Sequence, residues 1–143
     1  LVDVWGSDRV GLRISPAMGM NGCGESDAPV LYAALLDEAN RLGIAYLDVI
    51  EHFGPPEQRP REPSELHASL RRRFGGRYLA NGGFDVERAR AAIEAGHADG
   101  IVFARAFLAN PDLPERIRRG AALNQPERTP GRAPVVLIGD ITT

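Results

Sequence analysis

The feature that most constrains this chain is its rhythm: a short apolar run, then an amphipathic stretch, repeated four times within 143 residues. Residues 9–14 alternate weakly, and Ser15-Pro16 ends them. Asp27 can cap a helix with Pro29 in its first turn, and Val30, Leu31, Ala34, Leu35, Ala39 and Leu42 recur at helical spacing. Gly43 stands where a left-handed terminating residue is wanted. Residues 44–50 are almost wholly apolar, as in a strand covered on both faces. Ser64 opens a helix with Leu66, Leu70 and Phe74 on one side. Residues 77–81 are a strand, Asp85 caps a helix with Val86, Ala89, Ala92 and Ile93 inward, and Gly96 stops it. Residues 99–103 are a fourth strand, and a last helix opens at Asn110 and Pro111 and closes at Gly120.

Such alternation predicts an α/β fold with a parallel sheet and crossover helices. Two architectures fit: an open doubly wound sheet and a (β/α)₈ TIM barrel. A barrel uses about 250 residues, or roughly 31 per unit, so this chain would supply about half of one. The first residue is Leu1 rather than Met, which leads us to expect that the chain begins inside a longer one.

Composition narrows function by exclusion. The net charge is −2, against a clustered positive surface for nucleic acid. All 17 basic residues are arginine, a bias that a GC-rich genome produces. Selection for bidentate anion contacts would also produce it. A single cysteine, Cys23, allows neither an intrachain disulfide nor a multi-cysteine metal site, and the expected compartment is the reducing cytoplasm. No apolar run approaches the roughly 20 residues that span a bilayer, and we expect no membrane partner.

In both architectures ligands bind beyond the C-terminal ends of the strands. Three strand ends carry candidates. Asn81-Gly82-Gly83 precedes a helix, where glycine backbone N–H groups and the helix dipole suit an anion; a tight strand-to-helix turn would need glycine in any case. Ala104-Arg105 ends the following strand, and a guanidinium fork suits phosphate oxygens. Arg13 lies in an apolar strand, either poised at the mouth or paired with Asp48 or Glu51. His52 sits at a strand end, whereas His67 and His97 lie on or beside helices and are expected at the surface. Residues 51–63, with four prolines and five charges, are expected to form a long surface loop, and Arg71-Arg72-Arg73 a solvated helix end. The glycine-rich stretch 17–26 is expected to be another loop.

Three segments carry a resemblance. Val4-Trp5-Gly6-Ser7-Asp8-Arg9-Val10-Gly11-Leu12-Arg13-Ile14-Ser15-Pro16 resembles the fifth-strand signature of the old yellow enzyme family, the FMN-dependent NAD(P)H:flavin oxidoreductases. Leu79-Ala80-Asn81-Gly82-Gly83-Phe84-Asp85 resembles that family's seventh-strand phosphate turn, and residues 99–114 its eighth-strand segment. Order and spacing agree from Val4 to Asn124. The resemblance implies that residues 1–124 are the C-terminal half, strands 5–8 with their helices, of an FMN-binding TIM barrel, with 125–143 a divergent tail. It implies that Arg13 approaches the pyrimidine side of the flavin, and that Asn81, Gly82, Gly83, Ala104 and Arg105 bind the cofactor. The implied reaction is hydride transfer from NAD(P)H through FMN to an activated alkene such as an enone.

The chain departs from that pattern in three ways. Ala104 stands where the family usually has glycine, so its methyl is expected to crowd a backbone contact to phosphate. The tail after Asn124 does not align. The first four strands are not here, and with them go the residues that bind the substrate carbonyl and donate its proton; no catalytic residue is therefore assigned. The implied partner is an N-terminal barrel half or a second copy of the chain. The alternative is a non-catalytic half-barrel that binds a phosphorylated ligand or assembles as a homodimer, with its outer strands as exposed edges.

Overall fold

A computed structural model of the chain describes residues 1–16, 24–54 and 56–126. The cysteine, most of the glycine-rich stretch and almost all of the divergent tail lie outside the described residues. The elements are α1 (Val2–Trp5), β1 (Gly11–Ile14), α2 (Ala28–Leu42), β2 (Tyr46–Ile50), α3 (Glu65–Arg73), β3 (Arg77–Asn81), α4 (Val86–Glu94), β4 (Gly100–Val102), α5 (Arg105–Ala109) and α6 (Leu113–Arg119), with 3₁₀ turns at Ser7–Arg9 and Pro56–Gln58. The expected caps form: Asp27, Ser64 and Asp85 side chains accept from the N–H groups of Val30, His67 and Arg88. Gly43 and Gly120 close α2 and α6 in the left-handed conformation. The short helices α1 and α5 were not expected.

The strands form one parallel sheet in the order β1-β2-β3-β4. That order separates the two architectures. A doubly wound sheet reverses its order at a switch point and carries helices on both faces; a barrel adds each strand beside the last and carries helices on one. The register aligns Ile14, Val49, Ala80 and, beside it, Ile101 across the sheet, with Leu47 beside Tyr78. Residues paired in register share a face. All of these belong to the core cluster that also contains Leu36 and Ala39 of α2, Leu70 of α3, Ala89 of α4, and Leu113 and Ile117 of α6. The helices therefore pack on one face, as in the wall of a TIM barrel.

The opposite face, which carries none of these helices, would line the barrel interior. It presents Gly11 and Arg13; Tyr46, Asp48 and Ile50; Leu79 and Asn81; Gly100 and Val102. Val102 is buried yet stands outside the helix-side cluster. Large and small residues alternate laterally here: a Cβ on Gly11 would meet the Tyr46 ring at 2.2 Å, and one on Gly100 would meet Leu79 at 2.9 Å.

Three expectations need correction. In α2 the fully buried residue is Leu36, while Val30 and Leu31 are 64% and 52% exposed and Ala34 is exposed as well. The inward stripe runs through Tyr32, Leu35, Leu36, Ala39 and Leu42, leaving the first turn off the core. The arginine triplet is not simply solvated: Arg71 pairs with Asp99, Arg72 with Glu65, and Arg73 with Asp37, the last tying α3 to α2. The loop over 51–63 is not wholly superficial, because it buries both Glu51 and Arg59.

Candidate functional site

The C-terminal ends of the four strands carry two polar groupings. The first lies on the helix-free face. Asp48, 2% exposed, is opposite Arg13 in the register. Arg13 Nε donates to Asp48 Oδ2 at 2.7 Å and Nη2 approaches the same oxygen at 2.6 Å. Asn81 Nδ2 donates to the other oxygen, Oδ1, at 3.0 Å. Three strands thus join in one chain, Arg13–Asp48–Asn81. Of the two partners left open for Arg13, the structure selects Asp48. The side chain of Arg13 stays 39% exposed, and Nη1, the remaining arm of its fork, points to no partner among the described residues.

The second grouping is the turn after β3 with the end of β4. Gly82 and Gly83 have φ of 95° and 66°. A Cβ on Gly82 would fall 1.9 Å from the carbonyl oxygen of His52, so the loop after β2 already demands glycine there. The tight-turn explanation therefore accounts for Gly82. It does not account for the donors: the N–H groups of Gly82, Gly83 and Phe84 reach no acceptor among the described residues. The α4 dipole, by contrast, is already answered by its own acids. The Asp85 side chain accepts from Arg88 N at 2.8 Å, and Glu87 lies in the first turn.

Because Asn81 is opposite Val102, the ends of β3 and β4 lie side by side, and the glycine turn and Ala104-Arg105 both follow at that end of the sheet. Arg105 is exposed and has no hydrogen-bond or ion-pair partner among the described residues. Donors and a guanidinium with no partner among the described residues, gathered at one end of the sheet, are groups suited to a phosphate dianion. Asn81 is placed differently: its amide is committed to Asp48, and its backbone carbonyl accepts from Glu51 N at 3.0 Å. The structure thus brings Arg13 with Asn81, and Gly82-Gly83 with Ala104-Arg105, at one end of the sheet.

Sequence reasoning missed a third cluster, on the helix side of the same strand ends. Glu51 accepts from Tyr78 Oη at 2.7 Å, meets His97 Nε2 at 2.9 Å and pairs with Arg59. Burial pushes the Glu51 carboxyl up, but His97, the Tyr78 hydroxyl and the Arg59 charge together hold it below the usual carboxylate range. Burial and the Glu51 charge push the Tyr78 phenol up. His97 and His67, expected at the surface, are both inward. His97 has an 11% exposed side chain against Glu51. His67 is 8% exposed, its Nδ1 is 2.9 Å from Ser64 Oγ, and its buried Nε2 has no partner among the described residues. Burial, helped by the Arg59 and His97 charges, pushes the His67 imidazole below its ordinary value. His52, by contrast, lies against the glycine turn through its backbone and ring.

Comparison with known proteins agrees with the resemblance. Residues 1–124 match the model of the NADH:flavin oxidoreductase / NADH oxidase family. A solved structure of morphinone reductase in complex with tetrahydroNAD superposes with a TM-score of 0.75 at 37% identity, covering 88% of this chain and 33% of that one. The old yellow enzyme from Trypanosoma cruzi superposes with a TM-score of 0.75 at 35% identity, covering 88% and 32%. The 12-oxophytodienoate reductase 1 of Oryza sativa subsp. japonica is 33% identical over 125 residues, 87% of this chain and 33% of its own length. The chain spans about a third of the length of each of these relatives. Among the described residues no helix is long and apolar enough to cross a membrane.

Proposed function

Because the chain belongs to the NADH:flavin oxidoreductase / NADH oxidase family, whose cofactor is FMN and whose reductant is a nicotinamide dinucleotide, we propose that it forms the phosphate-holding part of an FMN site in an ene-reductase. The observation that supports this reading is that the backbone donors of Gly82, Gly83 and Phe84 and the guanidinium of Arg105, all without a partner among the described residues, follow adjoining strand ends. Those groups, with the backbone of Ala104, would hold the phosphate. Arg13 would approach the pyrimidine side of the flavin, its fork oriented by Asp48 and Asp48 in turn by Asn81. Asn81 then acts through Asp48 rather than by direct contact of its amide.

When bound, FMN would supply two-electron chemistry, hydride transfer between NADH or NADPH and the β-carbon of an activated alkene such as an enone. The chain's own part is to bind and orient. Arg105 and the turn fix the phosphate end, and Arg13 places positive charge where reduction builds negative charge. The groups that bind the substrate carbonyl and return its proton would come from the remaining strands of the barrel, on an N-terminal half or a second copy. A cytoplasmic setting suits a chain with one cysteine.

Titration of FMN into the chain, alone and mixed with a polypeptide carrying the other four strands, tests the reading by flavin fluorescence. Arg105→Ala should weaken binding by about 1.5–3 kcal/mol, roughly ten- to a hundredfold, if it removes a charge-assisted contact. Unchanged affinity would reject the phosphate role. A second reading, a non-catalytic half-barrel that pairs with itself and binds a phosphorylated ligand, is favoured by the sheet ending at β1 and β4 with no further strand among the described residues. Sedimentation showing a folded monomer with no flavin affinity in either preparation would count against both.

A further inference from the structure

The segment after β2 combines proline and charge, a composition that belongs on a surface, yet its two central charges are almost inaccessible. The side chains of Glu51 and Arg59 are 2% and 8% exposed. Arg59 uses both terminal nitrogens of its fork. Nη2 pairs with Glu51, Nη1 donates to the carbonyl oxygen of Gly82, and the guanidinium lies 3.7 Å from the centroid of the Phe84 ring. Glu51 is anchored in turn by Tyr78 and His97, and its own N–H donates to Asn81 O. Apart from the Arg59–Glu51 pair inside the loop, these ties run from the loop to β3, to the turn that follows it, or to His97 just beyond α4.

Burying an arginine–glutamate pair is expensive, and apolar side chains of the same volume would staple the loop at least as well. Apolar side chains cannot grip a carbonyl. Gly82, at φ 95°, has no side chain of its own to set the orientation of the peptide that follows it. All described peptide bonds are trans, so the Gly82 oxygen and the Gly83 N–H point in opposite directions. Holding the oxygen toward Arg59 therefore aims the Gly83 N–H away from it, and that N–H is one of the donors with no acceptor among the described residues.

We propose that Arg59, braced by Glu51, is a positioning residue for the anion turn: by gripping the Gly82 carbonyl it presets the peptide whose N–H receives the FMN phosphate. The proposal rests on the phosphate reading of Gly82 and Gly83. It predicts an effect confined to the phosphate end of the ligand, which a general loop staple would not produce.

Riboflavin, which shares the ring system and lacks the phosphate, separates the two. The affinities of the full chain for FMN and for riboflavin are measured by fluorescence quenching, with folding checked by circular dichroism and thermal melting. Wild type should prefer FMN, and inorganic phosphate should compete. Arg59→Met, which keeps the apolar stem and loses the fork, should cut the FMN-over-riboflavin preference at least tenfold while riboflavin affinity holds. Arg59→Lys, one donor point in place of a fork, should recover part of it. If Arg59→Met does not fold, Arg59→Lys and Glu51→Gln stand in, each expected to lower the preference at least threefold. A folded variant with the wild-type preference, or with both affinities lowered equally, overturns the positioning role and leaves the phosphate reading intact. A wild-type protein with no preference for FMN overturns the phosphate reading itself.

Discussion

Alanine at Gly82 and at Gly96 makes an internal comparison that isolates the closeness of the loop after β2 to the glycine turn. Both residues have positive φ, 95° and 71°. Alanine at either site meets the left-handed backbone penalty, roughly 1–2 kcal/mol. Around Gly96 an added Cβ has nothing within 4 Å, so the penalty stops there. At Gly82 the Cβ would lie 1.9 Å from the His52 carbonyl oxygen, 2.9 Å from its carbonyl carbon and 3.1 Å from its nitrogen. Real Cβ atoms keep more than 3.0 Å from such atoms, so the His52 backbone must retreat by an ångström or more. It is poorly free to do so. Residue 51 is hydrogen-bonded to Asn81, and its carboxylate is held by Tyr78, His97 and Arg59. Overpacking of this kind adds about 1–3 kcal/mol. Gly82→Ala should therefore cost about 3 kcal/mol or more, and Gly96→Ala about 1. For a domain of this size the melting midpoints should fall by roughly 10 °C and 4 °C. Urea unfolding followed by circular dichroism gives the free energies directly. Equal losses at the two sites would refute the close approach of His52. A small loss at Gly82 with intact flavin affinity would refute the phosphate reading as well.

Other perturbations act on the charges. Asp48→Asn should destabilise by about 1–2 kcal/mol in urea unfolding, less than the 3–5 typical of a fully buried pair, because Arg13 is 39% exposed. With flavin bound, Arg13→Ala should lower its midpoint potential and Asp48→Asn raise it, each by a shift on the order of 30 mV or less, equivalent to about 1.4 kcal/mol for two electrons; potentials moving the same way would break the assignment. His67 is held neutral by burial, with a folded pKa below its unfolded value. The unfolded state then binds the extra proton first, so stability is full above about pH 6.5 and falls as pH drops toward the folded pKa. His67→Leu should remove that part of the slope and, by deleting the unpartnered Nε2, be neutral or stabilising near pH 7. Melts between pH 7 and 5 that keep the wild-type slope would contradict this. The depressed carboxyl of Glu51 acts in a lower window, its contribution disappearing only as pH falls below the usual carboxylate range.

Much of the fold was legible because local chemistry marks its own boundaries. The expected strand over 77–81 is the observed one, bounded by glycines on both sides. The caps at Asp27, Ser64 and Asp85 each offer a short oxygen-bearing side chain before a periodic run. Alternation alone could not choose between a barrel wall and a doubly wound sheet, because both read strand, helix, strand. Strand order and the single helical face made that choice, and neither is a property of any one segment. The phase of α2 misled for a related reason: a helix with apolar residues at so many positions offers more than one plausible stripe, and only the partners decide which is buried.

Asp48 and Glu51 are three residues apart at the end of one strand, and an odd spacing in a strand puts two side chains on opposite faces. Asp48 therefore falls on the helix-free face with Arg13 and Asn81, and Glu51 on the helix side with Tyr78 and His97. Strand alternation alone separates the two carboxylates, so the choice of partner for Arg13 follows once the register is known. It also says where to look for a counter-charge to Glu51: among groups that can reach the layer beneath the helices. Arg59 satisfies that condition from a loop whose prolines advertise exposure. No periodicity marks it, because its partners lie 8 and 23 residues away. What marks it is the unmet need of a buried carboxylate, which a strand of apolar neighbours makes visible before any coordinate does. A lone acid on the covered face of a barrel strand is therefore a demand for a cation from elsewhere. Here the cation that answers it also holds the turn on which an anion would rest.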